Sequence, residues 1–155
     1  MTETEKDDRF LLCRIGSRIG ALTLKDVREV MRPLPIEPLA GTPPFVLGLA
    51  IVRGFPTPVI DAGRLLGPID LPSPARFVSL RLGERSAALA VDAVLDVRSL
   101  AAGDLKEIPP LLREAGADLV SAIGALDTEL LLVLEAARLV PESIWSAIEA
   151  SGAST

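Results

Sequence analysis

The chain has 155 residues, and its acidic side chains outnumber the basic ones by 21 to 16, for a net charge of −5 at pH 7. It contains no histidine and only one cysteine. The missing histidine excludes, within this chain, a Ser–His–Asp or Cys–His active site, a histidine-ligated zinc and a phosphorylated histidine. A single cysteine excludes an internal disulfide and a CxxC metal site, and a free thiol fits a reducing cytosol. An acidic chain without a Lys/Arg cluster also argues against binding to nucleic acid or to an anionic membrane.

The sequence gives no sign of a segment that targets or crosses a membrane. Residues 1–8 are polar and acidic and contain no apolar signal-peptide core. The longest stretch without a charged residue, 38–52, contains three prolines and is too short to span a bilayer as a helix. We therefore expect a cytoplasmic protein without direct membrane insertion. Cys13 lies in an apolar run and is predicted to be a small buried core residue.

Short apolar runs separated by Gly, Pro and charged residues predict a mainly β chain. In chain order, the predicted strands are 10–15, 19–24, 26–31, 45–52, 58–60, 77–82, 87–91, 93–98, 119–126 and 130–134. Segments 26–31 and 93–98 also fit helical spacing, but their β-branched content favours strands. Extended loops are predicted over the proline-rich segments 33–44 and 68–74.

Helix is predicted at three places only. Single helical turns are expected over 61–66 and 135–140, where Asp61 and Glu135 suit a capping role. A longer helix is predicted to begin near Pro141 and to end at Gly152. Its apolar face is formed by Ile144, Trp145, Ala147 and Ile148.

The chain contains an internal duplication. Residues 10–30 align with residues 77–97 at a constant offset of 67, and eight of the 21 positions are identical. A weaker pairing at an offset of 74 sets 59–66 against 133–140. Two copies are too few for a solenoid, so two similar lobes packed face to face are expected.

Candidate catalytic groups are sparse, whereas one arginine suggests a binding surface. Asp92 and Asp96 lie four residues apart, but solvated strand-edge or turn positions explain them better than a catalytic carboxylate pair. Arg53 and Gly54 follow an apolar strand at the start of a turn. A planar guanidinium at the edge of an apolar surface is suited to docking a partner helix or its carboxylates. We predict neither an enzyme, a cofactor nor a metal site.

The segment Gly48…Arg53-Gly54…Pro58-Val59-Ile60-Asp61 resembles the Gly…Arg-Gly…Pro-Val-x-Asp signature of the CheW chemotaxis coupling proteins. The opening strand 10–16, the Val-Asp-x-Val element at 91–94 and the final strand pair at 124–134 resemble the same family in the same order. Two positions depart from the pattern: Ile51 stands where the family usually has Asn, and Ala62 where it usually has Leu.

The resemblance implies two five-stranded SH3-like or OB-like β-barrels that share an apolar core, with a short C-terminal helix. One domain is expected over 9–150, built of subdomains 9–70 and 71–150 with strands possibly exchanged, and flanked by flexible tails 1–8 and 151–155. The implied receptor-binding residues are Val27, Glu29, Gly48, Arg53 and Gly54. The resemblance assigns no individual residues to the kinase-binding surfaces.

The implied function is that of a non-enzymatic adaptor. Such proteins bind the cytoplasmic tip of methyl-accepting chemoreceptors and the regulatory domain of the histidine kinase CheA. Two alternatives stay open: a CheW-like adaptor in a surface-motility, biofilm or gene-regulatory pathway, and a small-molecule-binding β-barrel. A pocket with converging polar groups would favour the small-molecule reading, and a shallow apolar groove ending at Arg53 would favour the adaptor.

Overall fold

The computed structural model describes residues 9–66, 75–107 and 119–152, which form two β-sheets and two α-helices. The strands are β1 (Arg9–Ile15), β2 (Arg18–Thr23), β3 (Val27–Met31), β4 (Val46–Val52), β5 (Phe55–Asp61), β6 (Arg76–Leu82), β7 (Arg85–Val91), β8 (Ala93–Ser99), β9 (Lys106–Glu107), β10 (Val120–Leu126) and β11 (Glu129–Leu134). The helices are α1 (Ala62–Leu66) and α2 (Glu142–Gly152), and 3₁₀ turns cover Leu24–Asp26, Ala102–Asp104 and Ala136–Arg138.

Each sheet is built from both halves of the sequence. The first sheet has the order β8-β1-β2-β11-β10-β9, and the second has the order β3-β6-β7-β5-β4. The duplication relates β1, β2 and β3 to β6, β7 and β8, and it relates β4 and β5 to β10 and β11. Under this relation five strands of the first sheet have the same order as the second sheet, and each sheet combines the first two strands of one copy with the last three strands of the other. The exchange ties the two lobes together.

The two sheets also share their strand register. Cys13 pairs with Val94 in the first sheet, and the equivalent residues Leu80 and Val27 pair in the second. A register shift follows at the same place in both pairs. The parallel pairs agree as well, because β11 aligns with β2 as β5 aligns with β7. The duplicated sequence therefore encodes a duplicated backbone down to its irregularities.

Among the described residues, three apolar clusters of buried side chains lie against the faces of the two sheets. Leu11 and Leu22 of the first sheet meet Leu80 and Leu89 of the second in a shared core, which the helix residue Trp145 also joins. The opposite face of the first sheet buries Phe10, Leu12, Ile19, Ala21, Leu131 and Val133. The opposite face of the second sheet buries Ala50, Val52, Val59, Phe77, Ala88 and Ala90. In strand β1 the alternation of side chains sends successive residues to different clusters.

Most predicted elements are confirmed, and the ambiguous segments 26–31 and 93–98 both contain strands. Strand β9 was not predicted; its two charged residues pair with Ala122 and Ile123, so the first sheet has six strands rather than five. The prediction of a buried Cys13 is confirmed, and burial raises the pKa of its thiol to about 12.

Three details of the predicted helical and tail segments differ from the structure. Asp61 caps α1 by accepting backbone N–H bonds from Gly63 and Arg64, as predicted, but Glu135 makes no side-chain cap. In α2 the side chains of Ile144 and Trp145 are buried, whereas Ala147 is exposed. The helix includes residues 151 and 152, which were predicted to belong to a tail. The predicted loop 68–74, the boundary near residue 70 and the tails 1–8 and 153–155 lie outside the described residues.

Candidate functional site

The β4–β5 hairpin ends in a two-residue turn formed by Arg53 and Gly54. Both residues have positive φ, 52° and 86° respectively, as a type I′ turn requires. Glycine adopts this backbone without steric cost, which explains Gly54. Arginine does so at a cost, so its presence at the tip has to be explained by what its side chain does.

The Arg53 side chain forms a two-pronged ion pair with Glu29 of β3. Its Nε donates to Glu29 Oε2 at 2.6 Å, and one terminal nitrogen donates to Oε1 at 2.9 Å. Strands β3 and β4 are opposite edges of the second sheet, so this contact shows that the sheet curls enough for side chains at its two edges to form an ion pair. The hydrogen bonds and the opposite charge lower the pKa of Glu29 and raise that of Arg53, so both groups stay ionised.

Two exposed apolar residues lie in the same hairpin, each two positions from Arg53, and the strand register puts them on opposite faces. Phe55 is 71% exposed and Ile51 is 62% exposed, although both belong to the ordered hairpin. Ile51 pairs in register with Pro56, and Val52 with Phe55. Arg53 itself is 65% exposed. We call the exposed residues Ile51, Arg53, Phe55 and Pro56, together with Glu29, the hairpin surface.

The other predicted site residues have different surroundings. Val27 is half-buried and packs against the shared core, two residues before Glu29 on β3. Gly48 is buried, and it allows the backbone of Glu37 to lie against β4. Glu37 and Leu49 exchange backbone hydrogen bonds of 2.7 and 2.9 Å at this point. The structure thus brings Glu29, Arg53 and Gly54 together, while Gly48 supports the strand that carries them.

Ile51 and Phe55 were not among the predicted site residues. The alternation along β4 was a usable signal, because Gly48, Ala50 and Val52 are buried and the residues between them point the other way. Ile51 was noted only as a departure from the family pattern. Phe55 was placed in the turn, whereas the structure makes it the first residue of β5.

The equivalent hairpin in the first sheet, β10–β11, has a different surface. Asp127 takes the place of Arg53 and has nearly the same φ, 56°. Glu129 takes the place of Phe55 and is held by Arg14 of β1 through hydrogen bonds of 2.7 and 3.0 Å. This pairing lowers the pKa of Glu129 and raises that of Arg14. The duplicated backbone therefore carries the apolar, arginine-bearing tip in one lobe and an acidic tip in the other.

The polar groups considered for catalysis have structural partners instead. Asp92 accepts the backbone N–H of Gly16 at 3.0 Å, and Asp96 lies 3.5 Å from the guanidinium of Arg98. Across residues 9–66, 75–107 and 119–152, no group of three or more His, Cys, Asp or Glu side chains is placed to hold a metal ion. Within the same ranges, no helix is both long and apolar enough to cross a membrane.

One cleft lies beside α2 and another lies on the first sheet. One, of about 470 Å³, is lined by Lys25, Arg81, Arg85, Glu135, Glu142 and Trp145 among others. Its central cation, Arg85, is already paired with Glu142 and Glu149 and lies 4.9 Å from the ring centre of Trp145. The second, of about 600 Å³, lies between the end of β8 and strands β9 and β10. Because its walls come from opposite edges of the first sheet, this sheet also curls toward a barrel.

The fold is that of a two-barrel β protein, with two curled sheets around a shared core. Its exposed, arginine-bearing hairpin is suited to docking a partner. Comparison with known proteins agrees. A family model described as a CheW-like domain matches residues 9–143. The chain therefore belongs to the CheW-like family.

Several relatives support this membership. The chain is 24% identical over 133 residues to the chemotaxis protein CheW of Klebsiella aerogenes, covering 84% of this chain and 80% of that one. It is 24% identical over 130 residues to the chemotaxis protein CheW of Rhizobium meliloti, covering 83% and 84%. It is 29% identical over 119 residues to the protein FrzA of Myxococcus xanthus, covering 75% and 73%.

A solved structure shows the same fold. The crystal structure of the scaffolding protein TtCheW from Thermoanaerobacter tengcongensis superimposes with a TM-score of 0.70 at 23% identity, covering 83% of this chain and 88% of that one. The predicted fold of two SH3-like barrel subdomains is confirmed. Membership in this family of adaptor and scaffold proteins also confirms that the chain is not an enzyme.

Proposed function

We propose that this protein is a cytoplasmic adaptor that couples methyl-accepting chemoreceptors to the histidine kinase CheA in a chemotaxis-type signalling array. It binds the cytoplasmic tip of the receptor with one surface and the regulatory domain of the kinase with others. The observation that carries the proposal is the hairpin surface, where Arg53 forms an ion pair with Glu29 and the same hairpin exposes Ile51 and Phe55. Membership in the CheW-like family supports the same conclusion.

The hairpin surface has the chemistry that binding to a helical receptor tip requires. Helices that dock on a surface present apolar side chains at intervals of three and four residues, with polar groups that fix their orientation. Phe55 and Ile51 offer apolar contact area, and the guanidinium of Arg53 offers donors in a planar arrangement. Exposed ion pairs are weak in water, so Arg53 can exchange Glu29 for a receptor carboxylate at small cost.

Ile51 makes this surface more apolar than the usual family pattern with Asn. We therefore assign it a role in partner choice: the cognate receptor presents an apolar side chain opposite Ile51. Val27 and Gly48 act indirectly in this scheme. Val27 anchors β3 to the shared core, and Gly48 keeps β4 in contact with Glu37, so both hold the strands that carry Glu29 and Arg53.

The test measures binding of the purified protein to a receptor cytoplasmic fragment and to the CheA regulatory domain by calorimetry. Wild type is expected to bind both. Arg53→Asn is expected to lose about tenfold or more in receptor affinity, because the donors are removed, and to keep its kinase affinity. Asparagine is chosen because it tolerates positive φ, so the turn is preserved.

The matched control is Asp127→Asn at the equivalent hairpin tip, where φ is nearly the same. It should leave receptor affinity unchanged, and both variants should melt like the wild type. Wild type that binds neither fragment would refute the adaptor function. A folded Arg53→Asn protein with undiminished receptor affinity would refute the hairpin surface as the receptor site.

A further inference from the structure

The second sheet buries a hydroxyl group that has no hydrogen-bond partner among the described residues. Ser79 of β6 is fully buried, and its Oγ neither donates nor accepts a hydrogen bond there. The other buried polar side chains of the described ranges, Thr57 and Asp61, both have partners. An unpaired buried hydroxyl lowers stability, and alanine at the same position would avoid that cost. Packing of the sheet therefore does not explain Ser79.

A β-bulge places Ser79 opposite Glu29, the ion-pair partner of Arg53. The register of β3 against β6 shifts at Arg28, so that Glu29 faces Ser79. Facing residues of antiparallel strands point to the same side of the sheet, with their Cβ atoms about 4.5–5.5 Å apart. A glutamate carboxylate can reach a serine hydroxyl over that separation. Glu29 thus lies between two groups that can donate to it, and in the single chain it bonds to Arg53.

The equivalent position of the first sheet supports a specific link between these two residues. There the same register shift sets Asp96 of β8 opposite Leu12 of β1. By the offset of 67, Asp96 corresponds to Glu29 and Leu12 to Ser79. Leu12 packs in the apolar cluster of its sheet, and Asp96 pairs with Arg98 of its own strand. The facing core residue is therefore polar only in the lobe whose carboxylate belongs to the hairpin surface.

The ion pair that holds Glu29 is one that a partner can break. The side chains of Arg53 and Glu29 are 65% and 28% exposed, and exposed ion pairs contribute little to stability. When a receptor carboxylate takes the guanidinium, however, the half-buried carboxylate of Glu29 loses two hydrogen bonds. Leaving such a group unpaired opposes docking. A second donor beside Glu29 would remove that penalty.

We infer that Ser79 is a positioning residue of the receptor site: when the receptor engages Arg53, the Ser79 hydroxyl donates a hydrogen bond to the released Glu29 carboxylate. The carboxylate stays ionised and turns from the guanidinium to the hydroxyl that faces it. Ser79 touches no receptor atom in this scheme and acts through Glu29. The inference rests on the proposed receptor binding at the hairpin surface, but the contact between Ser79 and Glu29 can be measured without a receptor.

The first experiment titrates Glu29 in the free protein by NMR of ¹³C-labelled carboxyl groups. Arg53→Asn releases the carboxylate and keeps the turn, because asparagine tolerates positive φ. A hydrogen bond to the ionised form lowers a carboxyl pKa, so the pKa of Glu29 should be higher in Arg53→Asn/Ser79→Ala than in Arg53→Asn. Ser79→Ala alone should leave the Glu29 pKa lowered, since Arg53 still holds the carboxylate. Arg28, which also lowers this pKa, is present in every variant.

Asp96 is the internal reference in the same spectra, because the duplication makes it the equivalent of Glu29. Its titration should not respond to Ser79→Ala. Equal Glu29 pKa values in Arg53→Asn with and without the Ser79 hydroxyl would overturn the inference.

The second experiment measures binding to the receptor cytoplasmic fragment and to the CheA regulatory domain by calorimetry. Ser79→Ala is expected to bind the receptor fragment about tenfold more weakly, the usual effect of losing a hydrogen bond to a charged group, and to keep its kinase affinity. Its melting temperature should be no lower than that of the wild type, because the hydroxyl removed has no partner in the single chain. In the Glu29→Ala background, Ser79→Ala should cause no further loss, since it acts through Glu29.

Undiminished receptor affinity in Ser79→Ala, or an equal loss in both backgrounds, would overturn the inference. Wild type that binds no receptor fragment would refute the proposed function and this inference with it. An unresponsive Glu29 pKa in a protein that does bind its receptor would refute the inference alone.

Discussion

Two glycines near the β4–β5 hairpin have positive φ but opposite steric surroundings. Gly54 has φ 86°, and a side chain added there would meet open space. Gly48 has φ 143°, and a Cβ added there would collide with the backbone carbonyl oxygen of Glu37. Only the second glycine is therefore required by packing as well as by backbone conformation.

Alanine at these two positions separates backbone strain from steric collision. Gly54→Ala is expected to lower the free energy of unfolding by about 1 kcal/mol, the usual cost of left-handed backbone for a residue with a Cβ. Gly48→Ala is expected to cost roughly 2–5 kcal/mol, because the strain is joined by displacement of the Glu37 segment. Urea unfolding at equilibrium measures both values. Equal losses at the two positions would show that the Glu37 segment moves aside freely.

The residue scale also shows which parts of the site are readable from sequence. The turn was predictable, because a glycine between two apolar strands supplies the positive φ that a tight hairpin turn needs. Only the family resemblance placed Arg53 and Glu29 in one site. The contact joins the two edge strands of the second sheet, which do not pair with each other. Its physical cause is the curling of the sheet, which brings its two edges together. Alternation along a single strand does not encode that curvature.

At the scale of elements, the duplication predicts which strands are alike but not which sheet they join. Strands β1 and β6 have equal length and equivalent register, as their sequences indicate. The exchange of β3–β5 for β8, β10 and β11 joins two sheets that each point a face into the shared core. Strand β9 gave no signal at all, because Lys106 and Glu107 lack an apolar pattern and pair only by their backbone.

The duplication also places equivalent arginines, on β2 and β7, beside the two helices. Arg18 donates to the backbone carbonyl of Leu66 at the end of α1. Its equivalent, Arg85, pairs with Glu142 and Glu149 of α2 and lies over the ring of Trp145. Both arginines thus tie a helix to strand β2 or β7, but Arg85 holds a longer helix by three side chains.

Removing Arg85 should therefore loosen α2 without unfolding the barrels. In Arg85→Gln we expect faster amide hydrogen exchange along α2 and a red shift in the emission of Trp145, the only tryptophan of the chain. Arg18→Gln is the matched control and should leave both signals unchanged. Unaltered exchange along α2 in Arg85→Gln would mean that burial of Ile144 and Trp145 alone holds the helix.

At the scale of the whole molecule, strand exchange makes the two lobes depend on each other. The first sheet needs β8 to β11 from the second half of the chain, and the second sheet needs β3 to β5 from the first half. The shared core also draws on both, as the contacts of Leu22 and Leu89 show. The hairpin surface therefore lies on a sheet that is built from both halves of the chain.

This dependence predicts that neither half of the chain folds alone. A fragment ending at residue 70 would lack partners for β1 and β2 on the β8 and β11 sides, and the remaining fragment would lack β3, β4 and β5. Each fragment would also expose the apolar face that builds the shared core. Circular dichroism and amide NMR spectra of each fragment should therefore be those of unfolded chains. Co-expression of the two fragments should restore a folded complex, because the exchanged strands then find their partners. A well-dispersed amide NMR spectrum from either fragment alone would show that a lobe is stable without strand exchange. The shared core would then contribute less to stability than its burial indicates.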